Sequence, residues 1–490
     1  MNKIKRKKSL LINASLNGLQ SVLNLIFPLI TFPYISRVLS VQGMGIYNFS
    51  NTYAGYFGMI SSLGIATYAV REGAKYRNEE SRISTFSSQI FTINIVSTIV
   101  AYISLFISLI IFRNLNNYIS CILIFSLQIL FNTLGINWVY TIYEDYSYIT
   151  IRNIIFKIIS IILLFLLVKK PTDYLTYAGI TVFANVGSNL LNYLHSKQFL
   201  NIRIVKETKW RLHLKPILVI FASTLAVNLY VFSDNLILGI LKNDYAVGIY
   251  GVSVKIYTVV QGLLTAVLTV TIPRLAMLFG KEKKKVYHKL LSQVMDTLLI
   301  FSLPTSIGML MMSEEIVIII AGKKYLPAVT SLKIMAFAII FSIFSWIFSD
   351  CVLIPAKREK FLLHNTIITA IVNIISNFCL IPLFSYDAAA LTTVISEFLA
   401  MALNAYYSRD IISTIIKSKT TIKNLGSALS GCLGIIVVCF LCQLSYPNML
   451  VRTVISIILS VLIYFAILFL LGNTVIMKFL EKLEFRFGKK

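Results

Sequence analysis

Fourteen stretches of the chain are apolar for long enough to cross a hydrocarbon core of about 30 Å as helices, at 11–36, 46–69, 83–112, 118–141, 147–168, 174–195, 216–241, 245–272, 290–312, 328–352, 361–383, 388–407, 424–445 and 452–472. Polar connections separate them, and the pattern predicts an all-α integral membrane protein. Several runs carry polar residues at helical spacing. Asn13, Asn17, Gln20, Asn24 and Thr31 share one face of the first run, and Asn48, Asn51, Gly55 and Ser62 share one face of the second. Further stripes are Asn185, Ser188, Asn189 and Asn192 in the sixth, and Tyr250, Ser253, Tyr257, Gln261 and Thr265 in the eighth. The eleventh adds Asn365, Thr369, Asn373 and Asn377. A single such residue commonly bonds one helix to another, whereas stripes of this length on several helices predict a hydrated cavity.

Within the first run Pro28 and Pro33 each remove an amide donor and predict a kink, which a membrane helix tolerates where neighbours satisfy the freed groups. The run leads through Ser36-Arg37-Val38 to a corner at Gly43 and Gly45 and into the next apolar helix. Gly45-Ile46-Tyr47 returns 203 positions further on as Gly248-Ile249-Tyr250, and Arg71 returns as Arg274 at the same offset of 26 from its glycine. The interval holds six helix-and-loop units, so the two copies run in parallel. This predicts a six-helix bundle over 1–195, a cytosolic linker over 196–215, a second six-helix bundle over 216–407, and two additional helices with a tail over 408–490.

Composition agrees with the pattern, because 57% of the 490 residues are hydrophobic and 13% charged. The net charge of +25 invites a nucleic-acid reading, which the placement of the charges excludes. With the N-terminus inside, cytosolic segments hold about four times as many Lys and Arg as outer loops, the positive-inside signature. Both termini are then cytosolic, and anionic membrane lipids are the partners of the basic loops. The N-terminal MNKIKRKK and the run behind it are read as a retained helix rather than a cleaved signal. Cys121, Cys351, Cys379, Cys432, Cys439 and Cys442 all fall in apolar runs and are read as packing residues. The sequence shows no Gly-rich phosphate loop, metal-ligand cluster or Ser-His-Asp set, so no catalytic residue, metal or bound cofactor is assigned.

Ionisable groups within the runs are costly and therefore informative. Lys157 shares a face with Asn153 and Ser160, and Glu397 lies on the polar stripe of the twelfth run. Asp234 and Lys255 lie at similar depth on neighbouring runs, in a position to pair. Arg37 follows the Pro33 kink and offers guanidinium chemistry suited to phosphate oxygens. Candidate substrate contacts are Arg37, Lys157, Asn24, Asn48, Asn51 and Lys255, and candidate ion-coupling carboxylates are Glu397 and Asp234, for H+ or Na+.

The segment Phe27-Pro28-Leu29-Ile30-Thr31-Phe32-Pro33-Tyr34-Ile35-Ser36-Arg37-Val38-Leu39, the Gly43-x-Gly45 corner with Asn48-Phe49, and Ser62-Leu63-Gly64-Ile65 leading to Arg71-Glu72 together resemble the opening of Wzx-type polysaccharide repeat-unit flippases. These belong to the superfamily of multidrug, oligosaccharidyl-lipid and polysaccharide exporters. The resemblance implies a V-shaped arrangement of the two bundles and translocation of undecaprenyl-diphosphate-linked oligosaccharide across the bacterial cytoplasmic membrane by alternating access, for O-antigen, capsule or a related polymer. It also implies a polysaccharide polymerase and assembly proteins as partners. A multidrug or cation antiporter of the same fold, and a membrane polysaccharide polymerase, are the alternatives.

Overall fold

The computed structural model describes residues 26–487, and these form helices with no strand among them. In chain order the helices are α1 (Ile26–Val38), α2 (Val41–Ser62), α3 (Ile65–Gly73), α4 (Glu80–Ile111), α5 (Ile119–Gly135), α6 (Asn137–Ile142), α7 (Tyr146–Leu167), α8 (Tyr174–Val186) and α9 (Asn189–Ser196). They continue as α10 (Trp210–Leu241), α11 (Asp244–Gly280), α12 (Lys284–Met311), α13 (Ser313–Ile320), α14 (Ala328–Trp346), α15 (Glu359–Ile416), α16 (Lys419–Ser445), α17 (Met449–Leu470) and α18 (Thr474–Phe487). Among the described residues, nine helical stretches are long and apolar enough to cross a membrane.

The difference from fourteen runs lies in how helices break and join. Runs 46–69, 118–141 and 174–195 are each split in two, into α2 and α3, α5 and α6, and α8 and α9. The first break passes through left-handed backbone at Leu63 (φ 44°) and Gly64 (φ 71°), and the second at Ile136 (φ 37°). A side chain at Gly64 is excluded twice over, since a Cβ there would also lie 2.6 Å from Ile220 Cγ2. Runs 361–383 and 388–407 instead join into α15, which kinks at Ser385 (φ 54°, ψ −130°) just after Pro382. Most of the first run falls outside the described residues. Its visible part, α1, is helical through Pro33, and Ser36 Oγ and Arg37 Nη1 donate to the Pro33 carbonyl at 3.2 and 2.7 Å.

Packing divides the chain into two units. The first runs up to Gly239 and includes Asn243–Gly248, and the second comprises Ile240–Lys242 and the chain from Ile249 onward. Most of α10 therefore packs with the helices that precede it, although in sequence it follows the charged connection at 196–215. Ile220 lies against Gly64, and Gly239 gives Phe49 room, since a Cβ there would sit 2.3 Å from its ring. His213 ties the start of α10 down. Its Nδ1 bonds Tyr68 Oη and its Nε2 bonds Gln89 Oε1, each at 2.9 Å. Burial, and then the positive charge of Lys209, hold its pKa below the usual histidine value and favour the neutral ring.

In the second unit the last two apolar helices are integrated rather than peripheral. Tyr464 Oη donates to the Ile300 carbonyl at 2.7 Å, and Arg452 pairs with Glu315 at 2.7 Å. Cys432 and Cys439 pack in the same core as Leu299, Ile300 and Tyr464. All six cysteines are unbridged, and Cys379 is the exposed one.

The repeated glycines meet one another's helix within the first unit. A Cβ on Gly45 would lie 1.8 Å from the Asp244 carbonyl oxygen, and one on Gly248 would lie 2.2 Å from the Val41 carbonyl oxygen. Val41 and Asp244 are themselves 203 residues apart, so the contact is reciprocal between the two copies of the repeat. Tyr118 Oη donates to the Asp244 carboxylate beside it. Backbone faces backbone here, and no rotamer change relieves an added methyl. Gly45→Ala is expected to destabilise the protein by about 3 kcal/mol or more, against unchanged or slightly raised stability for Gly55→Ala, where a Cβ meets nothing within 4 Å and alanine favours the helix. Thermal unfolding of the purified variants in one detergent measures the difference.

Candidate functional site

A cavity of about 400 Å³ lies inside the first unit, among α2, α3, α4, α5 and α6. Asn51, Ser61, Ser62, Asn94, Gln128, Asn132, Thr133 and Asn137 contribute amides and hydroxyls to its wall, with Phe125 and Trp138 as aromatic surfaces. The wall carries no ionisable side chain. Such a lining offers many hydrogen-bond donors and acceptors without net charge, together with flat apolar faces.

The helix breaks build this wall. Where α2 ends, the Ser61 carbonyl accepts from Asn94 Nδ2 at 2.9 Å and from Ser97 Oγ at 2.6 Å, which is how a helix end away from water is satisfied. The hydroxyls of Ser61, Thr98 and Thr133 close a triangle at 2.7, 2.7 and 3.2 Å. At the second break Asn132 and Asn137, on either side of Ile136, are held by a second row of amides. Asn189 Nδ2 donates to Asn132 Oδ1 at 3.2 Å, and Asn192 Nδ2 donates to Asn137 Oδ1 at 2.6 Å. Gly135 has no room for a side chain because Asn189 occupies the space, with its Cγ 2.7 Å from where a Cβ would lie. Gln128 Nε2 is buried and has no partner among the described residues.

The second unit holds a different kind of polar arrangement. Glu397 is buried on α15 and accepts from Tyr257 Oη at 3.5 Å, and that hydroxyl accepts from Gln261 Nε2 at 3.2 Å. Tyr250 bonds Thr393 at 3.1 Å. The stripe expected to face water over 365–377 is buried instead, and this corrects the expectation of a cavity there. Asn365 Nδ2 donates to Asn404 Oδ1 at 2.9 Å, Asn404 Nδ2 to Ser345 Oγ at 3.1 Å, and Thr392 Oγ1 to Asn377 Oδ1 at 2.6 Å. The kink in α15 folds its two halves together, so that Asn365 meets Asn404 and Asn377 meets Thr392.

Of the residues singled out from the sequence, Asn51 lines the first-unit cavity. Asn48 is half-buried one turn earlier on α2. Lys157 is half-buried on α7, with its ammonium 5.7 Å from the Phe27 ring centroid. Arg37 is exposed and bonded to its own helix. Asp234 is buried in the first unit, and Lys255 is half-buried in the second. Asn24 lies outside the described residues. Asn94, Gln128, Asn132 and Asn137 were not singled out. Gln128 and Asn132 are spaced by four, a usable signal, but two residues make only a short stripe, and Asn137 lies past a break the sequence does not announce.

The chain matches the polysaccharide biosynthesis protein family over residues 10–279. The chain belongs to that family. A match to the MatE family covers residues 220–379, so the first match spans the first-unit cavity, and Tyr257 and Gln261 beside Glu397 fall within both. Among its relatives, the chain is 24% identical over 389 residues to a Shigella dysenteriae protein named as an O-antigen transporter, covering 77% of this chain and 94% of the relative. It is 25% identical over 388 residues to the capsular polysaccharide biosynthesis protein CapF of Staphylococcus aureus, covering 77% and 93%. In fold it resembles lipid II flippase MurJ in its inward closed conformation, with a TM-score of 0.68 and 16% identity over 93% of this chain and 98% of the other.

The two kinds of polar residue should separate on mutation. Asn94→Leu removes one of the two donors to the Ser61 carbonyl, leaving Ser97, and is expected to cost about 0.5–1.5 kcal/mol. Gln128→Leu removes an amide whose nitrogen bonds nothing and is expected to leave stability unchanged or raise it. Thermal unfolding of the two purified variants reads this out.

Proposed function

We propose that this chain is a flippase that moves undecaprenyl-diphosphate-linked oligosaccharide repeat units from the cytosolic to the outer leaflet of a bacterial cytoplasmic membrane, for O-antigen, capsule or related polysaccharide assembly. The observation that carries the reading is the uncharged cavity lined by amides, hydroxyls and two aromatic rings inside a membrane-spanning chain of the polysaccharide biosynthesis protein family. Sugar hydroxyls pair with Asn, Gln, Ser and Thr side chains, and sugar rings lie against aromatic faces. The names of the relatives, an O-antigen transporter and a capsular polysaccharide biosynthesis protein, point the same way. In this reading the isoprenoid tail stays in lipid while the head group crosses by alternating access, and both termini face the cytosol.

The transport step is coupled to H+ or Na+ through Glu397, whose carboxylate sits in the Gln261–Tyr257 chain. Arg37, Lys157 and Lys255 are the proposed cationic contacts for the diphosphate. Asp234 is a second coupling candidate, and polymerase and assembly proteins are the proposed partners. The MatE match favours a second reading, extrusion of organic cations. A cavity wall without a carboxylate argues against it, because a cation taken away from water calls for a counter-charge.

Cells depleted of the protein are expected to accumulate lipid-linked repeat units protected from a sugar-modifying probe that does not cross membranes, with loss of surface polymer. Normal exposure to the probe, or altered resistance to toxic cations with polymer intact, would favour extrusion. Asn132→Ala combined with Gln128→Ala should lower export about tenfold or more, the loss of two hydrogen bonds to substrate, with the protein still in the membrane. Glu397→Gln should abolish the dependence of export on the ion gradient, and gradient dependence equal to wild type would remove Glu397 from the coupling step.

A further inference from the structure

Four asparagine amides point in one direction through the cavity wall. Asn192 Nδ2 donates to Asn137 Oδ1 at 2.6 Å and to Asn189 Oδ1 at 3.5 Å, and Asn189 Nδ2 donates to Asn132 Oδ1 at 3.2 Å. Asn192 and Asn189 are buried, at 0% and 2% exposure, whereas Asn132 and Asn137 are exposed and line the cavity. The buried row is fixed in place. Tyr140 Oη donates to the Asn192 carbonyl at 2.7 Å, and Asn189 fills the space that Gly135 leaves. Asn192 Oδ1 is buried with no partner among the described residues, a cost that accompanies the use of its side chain purely as a donor.

An amide side chain has one accepting end and one donating end, so engaging either end sets what the other offers. Asn132 and Asn137 have Oδ1 engaged by the buried row and therefore offer N–H groups to the cavity. Asn94 has the opposite sense, because its Nδ2 donates to the Ser61 carbonyl and its Oδ1 is the acceptor it can offer. The wall thus sets two amide donors and an amide acceptor beside Phe125, Ile129 and Trp138, with no ionisable side chain. A sugar hydroxyl both donates and accepts, and needs no such fixed direction. A carboxylate could take both donors but would stand away from water without a counter-charge. A secondary amide with a small apolar group fits every feature. Its carbonyl takes the donors, its N–H meets the acceptor and its methyl lies on the apolar surface.

We propose that the cavity selects a sugar bearing an acylamino group, with Asn132, Asn137 and Asn94 as its contacts and with Asn189 and Asn192 as positioning residues that hold the first two amides in their donating sense. In placing that sugar on a lipid carrier the proposal rests on the flippase reading, while the donor and acceptor pattern does not. Asn189 and Asn192 act on the substrate only through the amides in front of them. Their effect is therefore on discrimination between sugars rather than on binding in general.

The test uses the full chain purified into nanodiscs of phosphatidylcholine, with three probes added separately: undecaprenyl diphosphate bearing one N-acetylglucosamine, one glucose or one glucuronate. The first two differ by an acetamido group in place of a hydroxyl, and the third adds a carboxylate. Wild type should bind the N-acetylglucosamine probe about tenfold more tightly than either of the others. Asn132→Asp keeps an acceptor for Asn189 but has no Nδ2, and should lower the preference over glucose about threefold or more. Asn189→Leu combined with Asn192→Leu frees both front amides to turn, and should lower that preference by a similar factor while affinity for the glucose probe stays within about twofold of wild type.

Equal binding of the N-acetylglucosamine and glucose probes by wild type would overturn the proposal, and tighter binding of the glucuronate probe would replace the acylamino group with an acid. A double variant that weakens both neutral probes by the same factor would make Asn189 and Asn192 merely structural. Where that variant fails to fold, the exposed Asn132→Asp still decides, and an unchanged preference there would remove the amide from recognition. The flippase reading fails on a different readout, namely normal outer-leaflet exposure of repeat units in depleted cells, and a preference for the acetamido probe would survive that result.

Discussion

In a hydrocarbon environment every backbone N–H and C=O must find its partner within the protein, and the first unit is shaped by how it meets that demand at its broken helices. Each break exposes groups that an unbroken helix would have paired. At the end of α2 the Ser61 carbonyl is met by Asn94 and Ser97 from α4. The side chains recruited for this purpose are polar and cluster where backbone is irregular, and they leave room beside them. The cavity is thus a by-product of satisfying the breaks, lined by residues of the same chemistry. A continuous α2–α3 helix would need neither Asn94 nor the hydroxyl triangle, and would offer no polar wall.

The same economy explains why polar stripes that look alike in sequence end in different places. Asn51, Gly55 and Ser62 on α2 face the cavity, whereas Asn365, Asn373 and Asn377 on α15 are buried to 2% exposure or less. The distinction arises from Ser385. Its left-handed φ turns the second half of α15 back on the first, and the two stripes pair with each other and with Ser345 of α14. No periodicity in either stripe encodes this, because it depends on which surface arrives opposite.

Close approach supplies the other organising contact. Gly45 and Gly248 were visible as a repeat, and their use is visible only in three dimensions, where each lets the opposite helix bring a carbonyl within van der Waals distance. A glycine with no side chain to place is a weak sequence signal by itself. Two of them at equal offset, each followed by Ile-Tyr, form a stronger one, and the reciprocal contact gives the repeat its physical meaning. Further along, α10 packs with the helices before it because Ile220, His213 and Gly239 complete contacts with Gly64, Tyr68 and Phe49. The charged connection at 196–215 itself packs on the first unit, with Leu200 and Ile202 in its core, and so marks no boundary in packing.

Hydropathy and its periodicity determined that the chain is helical and that it crosses a membrane many times, since these follow from local composition and from the length of a helix relative to a bilayer. The residues of the opening segment also carried the family resemblance. Tertiary structure decided where those helices break, which polar residues line a cavity and which bind helices together. Asn94 and Gln128 gave little sign of their places beforehand, because a hydrogen-bonding side chain has the same identity whether its partner is backbone, another side chain or a ligand. The identity of that partner is set by residues tens to hundreds of positions away.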